Sequence, residues 1–513
     1  MSKVAYPDLQ DADFVFKALL GHGMFADMLP PCFTSESFFK YIKNKKIPDK
    51  IKNHAYIEYR ASRNTNVPRQ LSIPHPKPYW HLCSHIKEHW EKINQHIGKP
   101  EKNFTFCHVR KIKDKKHIFE MNYNGTDKWT QEETILDYGL GCQYIVSADI
   151  STCFPSIYAH SIPWAIKSKE WAKKHRYPSW HKCNKNNAEK NELWPNDLDT
   201  ISRSIKDGET NGLLIGPHSS NIISEIILTQ IDCVLQSNGF KNVIRHIDDY
   251  EFFAKDEKEA KDFLRILDIE LKKHELALNA KKTKITSFQE FSSSSWISQL
   301  NQFSFPENNG HEIGFTTINS YIDYALTLSH DINNYAVLNY AIKVVSKKTL
   351  SKRAKRLYIK KIAQLALNHP YILPLLENYV FIFTDENYSF LDNFLLHLMD
   401  RSLQNGATDA LAFTFYYAIK YKKSLEIDKK TANNIVELND CISMLLAFKY
   451  AESDKKVRKV FIRKADEIKK LSEREQDKFW LFLYETLSVE KLPESLKDLK
   501  KDNIHFLKIG EDI

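Results

Sequence analysis

The chain has 513 residues, more than one ordinary hydrophobic core supports, so we expect two or more domains. Hydrophobic residues make up 42% of it, as in a globular protein. No run approaches the ~20 apolar residues that span a bilayer, so no membrane partner is expected. The net charge of +9 suits a nucleic-acid partner without proving one.

The eight cysteines are scattered singly, and no Cys-x-x-Cys spacing occurs. This pattern is typical of a reducing compartment and argues against a disulfide framework or a zinc ribbon. The N-terminal Met1-Ser2-Lys3 does not begin an apolar secretory signal. We therefore expect a cytoplasmic protein.

Residues 1–295 alternate helix-like and strand-like patterns. An early segment, Arg69 to Pro76, leads into a predicted helix that carries several histidines. Two of them, His85 and His89, are four residues apart and could share a metal ion on one helix face. No four-ligand spacing accompanies them, which argues against zinc.

A predicted buried strand, Gln143 to Ala148, ends at Asp149. An acid at the end of a hydrophobic strand is placed at the rim of a sheet. Phe154 follows five residues later, where a bulky ring could lie under the sugar of a nucleotide and clash with a 2′-hydroxyl. A phenylalanine of the hydrophobic core is the alternative interpretation.

A glycine-rich segment, Gly208 to Ser220, leads into an isoleucine-rich helix predicted over Ser219–Leu235. Gly216 and Pro217 predict a turn, and Ser219 or Ser220 is the expected helix cap. Glycine at a helix start lets the backbone come close to a base pair or a phosphate.

The most informative residues are His246-Ile247-Asp248-Asp249, which lie between two apolar runs. Adjacent side chains on a strand point to opposite faces, but at the bend of a hairpin both carboxylates can face one point. Two crowded acids repel unless a cation lies between them. An exposed acidic turn is the alternative.

A second amphipathic helix is predicted over Glu257–Leu276, followed by the basic block Leu278 to Ile285. Lys282 in this block could protonate a pyrophosphate leaving group as a general acid. A solvated basic strand explains the block equally well.

Glycine usage divides the chain, because Gly406 is alone between Gly314 and Gly510. We place the boundary between residues 1–295 and 296–513, with hinges expected at the 292–295 serine run and at 306–310. The second part is predicted to be helical. Its tyrosines 340, 379 and 417 are 39 and 38 residues apart, which indicates HEAT-like helical repeats unless any Tyr- and Lys-rich helix gives this pattern.

The stretch Lys347 to Lys361 holds eight Lys or Arg among 15 residues. Such a run predicts either contacts with a nucleic-acid backbone or the solvated face of a repeat helix.

Together these blocks resemble a reverse transcriptase. Asp149 with Phe154 resembles the first catalytic motif, Gly212 to Ser220 the second, and the Asp-Asp segment the third, with His246 in place of an aromatic residue. Leu278 to Ile285 resembles the block that follows. Arg69 to Pro76, Arg245 and the helical second half are most similar to the Abi-type (abortive infection) branch.

The resemblance implies an α+β fingers–palm domain followed by an all-α, HEAT-like repeat domain. It also implies a bacterial phage-defence enzyme that makes single-stranded DNA from dNTPs without a template, forms homo-oligomers, and uses a tyrosine of the protein as primer, so that the product is covalently attached. The implied roles are Asp149, Asp248, Asp249 and the Ile150 carbonyl for two Mg²⁺ (or Mn²⁺) ions; Arg69, with Arg60 or Arg63 as alternatives, for the triphosphate; Phe154, Gly216 and Pro217 for the nucleotide; and Lys282 for proton transfer.

Two other functions are compatible with the same residues. One is a templated RNA-directed DNA polymerase that works with a partner RNA. The other is a nucleic-acid-binding module that has lost catalysis, although the presence of all three aspartates argues against it.

Overall fold

Two antiparallel sheets organise the first part of this computed structural model. The smaller is a hairpin of β1 (Ile57–Ala61) and β2 (Arg69–Ile73). The larger has four strands, in the order β4-β5-β3-β6, and every neighbouring pair is antiparallel. Its strands are β3 (Tyr144–Asp149), β4 (Val243–His246), β5 (Asp249–Ala254) and β6 (Lys284–Ser287).

The structure describes residues 11–508 except 47–51, 66, 100–103, 106–127, 176–190, 289–294, 308–310 and 385–388. Both hinges expected from the sequence, at 292–295 and 306–310, therefore lie largely outside the described residues. The helices up to β6 are Ala12–His22, Glu36–Ile42, Pro76–Glu88, Trp90–Ile97, Lys128–Gly139, Cys153–Ser156, Ser161–Ile166, Lys169–Lys174, Trp194–Ser204, His218–Ser237 and Glu257–Lys273.

After β6 the regular elements are helical. They are Ser295–Asn301, Phe315–Asp331, Ala336–Val345, Lys352–Asn368, Leu373–Tyr379, Phe390–Asn405, Thr408–Lys420, Lys429–Glu437, Cys441–Tyr450, Lys455–Ile468, Glu473–Asp477, Trp480–Thr486 and Glu494–Lys501, with 3₁₀ turns at Pro370–Ile372, Phe381–Phe383 and Val489–Lys491. No helix in the described part of the chain is long and apolar enough to cross a membrane. The HEAT-like repeat and the boundary near 295 stay predictions.

Both faces of the larger sheet are covered by the protein. Val146 and Ala148 of β3 belong to the main core, against which the helices His218–Ser237 and Glu257–Lys273 also pack. Ile145 faces the other way and joins a small second cluster that is flanked by the helix Lys128–Gly139. Side chains of a strand point alternately to its two faces, and both faces of β3 are covered. Asp149 is the last residue of β3 and therefore lies at the rim of the sheet.

The turn that joins β4 to β5 is held by a buried arginine. Arg245 has no solvent exposure, and its guanidinium donates to Glu225 at 2.9 Å and to Asp232 at 2.8 Å, both on the helix His218–Ser237. A further bond of 3.0 Å runs from Nη1 to the carbonyl of Ile247, inside the turn. Burial raises the pKa of Asp232 to about 6, although the charge of Arg245 opposes this shift. Arg245 thus links the β4–β5 turn to the helix His218–Ser237.

The last helices fold back onto the β1–β2 hairpin. The Ser62 amide donates to the Asp409 carboxylate at 2.6 Å, and the His54 ring contacts Asp477 at 2.9 Å. Near the end of the described chain, the Thr34 amide donates to the carbonyl of Phe506 at 2.9 Å. Residues from both parts belong to one continuous hydrophobic core. The position of the hairpin therefore depends on the C-terminal helices.

We expect Arg245→Met to lower the free energy of unfolding by about 3–5 kcal/mol, because two buried carboxylates lose their guanidinium partner. Urea denaturation followed by circular dichroism measures this. The control Arg265→Met removes a surface arginine that lies 3.5 Å from Asp262 and should cost under about 1 kcal/mol. Equal effects of the two substitutions would contradict the anchoring role.

Candidate active site

Three acids from two distant parts of the sequence, Asp149 and the adjacent Asp248 and Asp249, meet at the rim of the larger sheet. The register of β3 against β5 pairs Asp149 directly with Asp249. One residue further, the Ile150 amide donates to the Asp248 carbonyl at 3.1 Å. The antiparallel pairing of two strands therefore places all three carboxylates in one small region.

The turn between β4 and β5 has only two residues outside the strands, Ile247 and Asp248, because His246 pairs with Asp249. Ile247 has a φ of 59°, a left-handed conformation that is costly for a β-branched residue. The bond from Arg245 to the Ile247 carbonyl holds the backbone in this conformation. The cluster around Arg245 thereby sets the direction of the two turn acids.

Crowding of the acids changes their proton affinity. Burial, the charge of Asp248 and a hydrogen bond with Asp149 together raise the pKa of Asp249 to about 7. Burial, and then the charge of Asp149, also raise the pKa of Asp248 above its usual value. The site therefore disfavours its own ionised form, and a divalent cation would relieve that repulsion.

The donor set suits a hard cation. The three carboxylates are accompanied by the backbone of Ile150, the residue that follows Asp149. Ile150 forms an isolated bridge with Leu278, so the carbonyl is held next to the acids by backbone contacts on both sides. Oxygen ligands of this kind are the ones that Mg²⁺ and Mn²⁺ prefer. The residues present thus fit a divalent metal site.

Asp149 is held by the block that follows the second amphipathic helix. The Asn279 side chain donates to Asp149 Oδ1 and Lys282 Nζ donates to Asp149 Oδ2, both at 2.8 Å. The hydrogen bond to Asp149 raises the pKa of Lys282, so its ammonium form is favoured. The sequence singled out Lys282 but missed Asn279, although both belong to the same block.

Of the three arginines expected to bind the triphosphate, Arg69 is the one whose pKa is affected by the charge of an acid at the site. Burial and then the neighbouring Arg63 lower the pKa of Arg69, while the charge of Asp248 opposes that shift. The charges of Arg63 and Asp248 therefore both act on the Arg69 guanidinium. Arg60 pairs with Gln70 across the hairpin, and no contact of Arg60 with the acids is found among the described residues.

The glycine-rich loop lies between β2 and the segment after Asp149. The Leu213 amide donates to the Phe154 carbonyl at 2.8 Å, and the Ser72 amide donates to the Ile215 carbonyl at 2.8 Å. Gly216 has a φ of 129°, and a Cβ there would come within 3.1 Å of the Ser72 carbonyl. A glycine is therefore required at this position. Phe154 is half-buried and packs against the core.

The expected helix cap was wrong. The helix begins at His218, the cap position is Pro217, and Ser219 and Ser220 are buried within its first turn. Pro217 has an extended backbone, and its fixed φ suits the entry to a helix.

Among the described residues, Glu88 is the one further metal-ligand side chain that joins the pair His85 and His89. Ligand atoms of His85, Glu88 and His89 lie within 4.8 Å of one another. The His85 Nε2 already contacts the Trp194 carbonyl at 3.0 Å. A structural zinc site normally uses four ligands, so these contacts do not support zinc.

A search of curated proteins finds no match to this chain. Among solved structures, the chain is similar to apo telomerase from Candida tropicalis truncated from its C-terminal domain, with 13% identity, 50% of this chain and 55% of that chain covered, and a TM-score of 0.31. The chain thus spans about half the length of that structure. It is also similar to Candida albicans telomerase in complex with a TWJ fragment of telomeric RNA, with 13% identity, coverage of 78% and 67%, and a TM-score of 0.31. A third, apo telomerase from Candida tropicalis, has 11% identity, coverage of 79% and 71%, and a TM-score of 0.34.

These likenesses are too distant to carry an argument about function. The family comparison is more specific, because the model described as reverse transcriptase (RNA-dependent DNA polymerase) matches residues 85–322. That span includes the three aspartates, the glycine-rich loop and Lys282. The chain therefore contains a reverse transcriptase domain.

Proposed function

We propose that this protein is a DNA polymerase of the reverse transcriptase type that binds two divalent cations through Asp149, Asp248 and Asp249. The observation that carries the proposal is the β3–β5 register, which brings Asp149 level with Asp249. The Ile150 carbonyl adds a fourth oxygen ligand. When bound, two such ions activate the attacking hydroxyl and neutralise charge on the leaving pyrophosphate.

The surrounding residues take the remaining roles. Arg69, supported by Arg63, binds the triphosphate, because the charges of Arg63 and of Asp248 both act on Arg69. Lys282 holds a proton close to the reacting phosphates and donates it to the leaving pyrophosphate. Phe154 lies against the glycine-rich loop and selects deoxynucleotides by excluding a 2′-hydroxyl.

We further propose that synthesis starts on a tyrosine of the protein and needs no template, as part of phage defence in the bacterial cytoplasm by a homo-oligomer. The resemblance to the Abi-type branch supports this, together with the helical second part that packs on the β1–β2 hairpin. Residues 1–79 contain five tyrosines, of which Tyr59 and Tyr79 are fully buried and unsuitable as primers. Tyr41 and Tyr56 are half-buried, and Tyr6 lies outside the described residues.

Templated synthesis with a partner RNA is the second candidate. It is favoured by the description of the matching family as RNA-dependent DNA polymerases. A templated enzyme would release a product complementary to an added strand, whereas the leading proposal predicts a product made without one.

Asp249→Asn should abolish nucleotide incorporation, because the site loses one of its shared carboxylates. Mg²⁺ should raise the melting temperature of the wild-type protein, since the ion binds only the folded state, and should not raise that of the variant. Without Mg²⁺ the variant should be at least as stable as the wild type, because the repulsion between acids is relieved. The surface variant Asp262→Asn should behave as wild type in each assay. Incorporation or a Mg²⁺ shift that persists in Asp249→Asn would disprove the metal assignment.

Lys282→Gln should lower kcat by about 10²–10⁴-fold if this ammonium acts as the general acid. Its exposed neighbour provides a matched control, since Lys281→Gln removes the same charge one residue away. Single-turnover incorporation of a labelled dNTP measures both variants. Equal rates in the two variants would mean that Lys282 serves only to neutralise Asp149.

The purified protein, given Mg²⁺ and dNTPs but no nucleic acid, should form DNA that enters the phenol phase with the protein. Protease digestion should release this DNA, and mass mapping of peptides should locate the first nucleotide on a tyrosine. Tyr6, Tyr41 and Tyr56 would each be replaced by Phe. Product that stays in the aqueous phase without protease would exclude protein priming while leaving the metal site untouched.

A further inference from the structure

The segment 277–283 is joined to the end of β3 by backbone hydrogen bonds. The Ser151 amide donates to the Ala277 carbonyl at 2.8 Å, and the Asn279 amide donates to the Asp149 carbonyl at 2.7 Å. These bonds hold the two segments in one register. Side chains of the segment 277–283 are therefore kept next to the Asp149 carboxylate.

The orientation of the Asn279 side chain is set within its own turn. Its Oδ1 accepts from the Lys281 amide at 3.2 Å, which leaves Nδ2, on the other side of the planar amide, to donate to Asp149 Oδ1 at 2.8 Å. The Asn279 carbonyl accepts from the backbone amides of Lys282 and Thr283, at 3.1 and 2.9 Å. Asn279 thus holds both the Asp149 carboxylate and the backbone of Lys282.

The two side chains that donate to Asp149 differ in charge. Asn279 is neutral, and a neutral donor is compatible with a cation on the same carboxylate, because each carboxylate oxygen has two acceptor positions. Lys282 donates to Asp149 Oδ2 at 2.8 Å, and its positive charge repels a divalent cation brought to the same oxygen. The Lys282 side chain is 63% exposed, whereas that of Asp149 is 9% exposed. Lys282 therefore has room to move into solvent while Asp149 stays in place.

We propose that Asn279 is a positioning residue that holds Asp149 ready for divalent cations, and that Lys282 is a replaceable cation that neutralises Asp149 until those ions bind. This inference deepens the proposed function and rests on its metal assignment. Asn279 keeps its hydrogen bond to Asp149 in the metal-bound state, as is usual for residues that orient a metal ligand. Lys282 leaves the carboxylate, while the bond to the Asn279 carbonyl keeps its backbone at the site.

The two contacts predict opposite effects on metal affinity. Without the Asn279 amide, Asp149 is no longer oriented, so metal binding should weaken by about 10–100-fold, the usual effect of losing a residue that orients a ligand. Without the Lys282 charge, a competing cation is gone, so metal binding should tighten by about two- to fivefold, as expected for a partly exposed ion pair. A merely structural role of the segment 277–283 would weaken binding in both cases.

The test measures binding of Mn²⁺ alone to the full chain, without dNTPs or nucleic acid, from the electron paramagnetic resonance signal of the free ion. Asn279→Ala is compared with Asn238→Ala, in which the lost amide donates to the Val234 carbonyl at 2.8 Å. Lys282→Gln is compared with Lys281→Gln, which removes a neighbouring exposed charge. Circular dichroism checks that every variant is folded.

A second substitution, Asn279→Ser, separates the contact with Asp149 from the turn. A serine hydroxyl can accept from the Lys281 amide and so preserve the turn. Its side chain is one bond shorter and does not reach Asp149 as well. Asn279→Ser should therefore weaken Mn²⁺ binding as much as Asn279→Ala does. Wild-type affinity in Asn279→Ser would assign the effect to the turn and contradict the positioning role.

The expected result is weaker binding in Asn279→Ala, tighter binding in Lys282→Gln, and an affinity close to wild type in both controls. Unchanged binding in Asn279→Ala, or weaker binding in Lys282→Gln, would overturn this proposal and leave the metal assignment intact. Mn²⁺ binding that persists in Asp249→Asn would overturn the metal assignment and this proposal with it. Because the assay needs no catalysis, an inactive polymerase would leave its result unaffected.

Discussion

The geometry of the candidate site depends on one buried cation. Arg245 joins Glu225 and Asp232 of the helix His218–Ser237 to the carbonyl of Ile247 in the β4–β5 turn. The same helix begins directly after the glycine-rich loop, so the arginine couples that loop to the turn that carries two of the acids. A guanidinium suits this task because its planar set of donors can satisfy two carboxylates and a carbonyl at once. A lysine has a single donor group and could not replace it.

The protein compensates two groups of carboxylates in opposite ways. Around Arg245 the charge is compensated from within, by a guanidinium and by the Tyr250 hydroxyl, which donates to Asp232 at 3.0 Å. At the rim of the sheet, Asp149, Asp248 and Asp249 have less internal compensation, and burial together with mutual repulsion raises the pKa of Asp249 to about 7. The first group stabilises the fold, whereas the second is costly to the fold and is suited to binding a cation from outside. Strain at Ile247 adds to that cost and is likewise concentrated at the candidate site.

The helical second part contributes to the site through the β1–β2 hairpin. Asp409 accepts from Ser62 at one end of β1, and Asp477 contacts His54 just before its other end. Because β1 pairs along its length with β2, these contacts also position the backbone of Arg69, on whose guanidinium the charge of Asp248 acts. The C-terminal helices therefore influence where a triphosphate would lie, although they hold none of the proposed metal ligands. Another segment of the helical second part supplies Tyr335, His369 and Tyr371, which line a cleft that faces the hairpin loop.

The sequence by itself determined the local features whose signal is short-range. Hydrophobic periodicity predicted β3 to within one residue and the central parts of the helices His218–Ser237 and Glu257–Lys273. Four short motifs in order indicated a reverse transcriptase domain, which the family match confirms. Tertiary structure alone decided the rest. Strand register determined that Asp149 lies opposite Asp249, and the packing of helix on sheet determined that Arg245 finds Glu225 and Asp232. It likewise revealed Asn279 as a partner of Asp149 and assigned the helix cap to Pro217. Contacts of this kind join residues that are from about ten to more than a hundred positions apart. Hydrophobic periodicity is a local property of the sequence, so it cannot predict which of many such distant pairs come into contact in the folded chain.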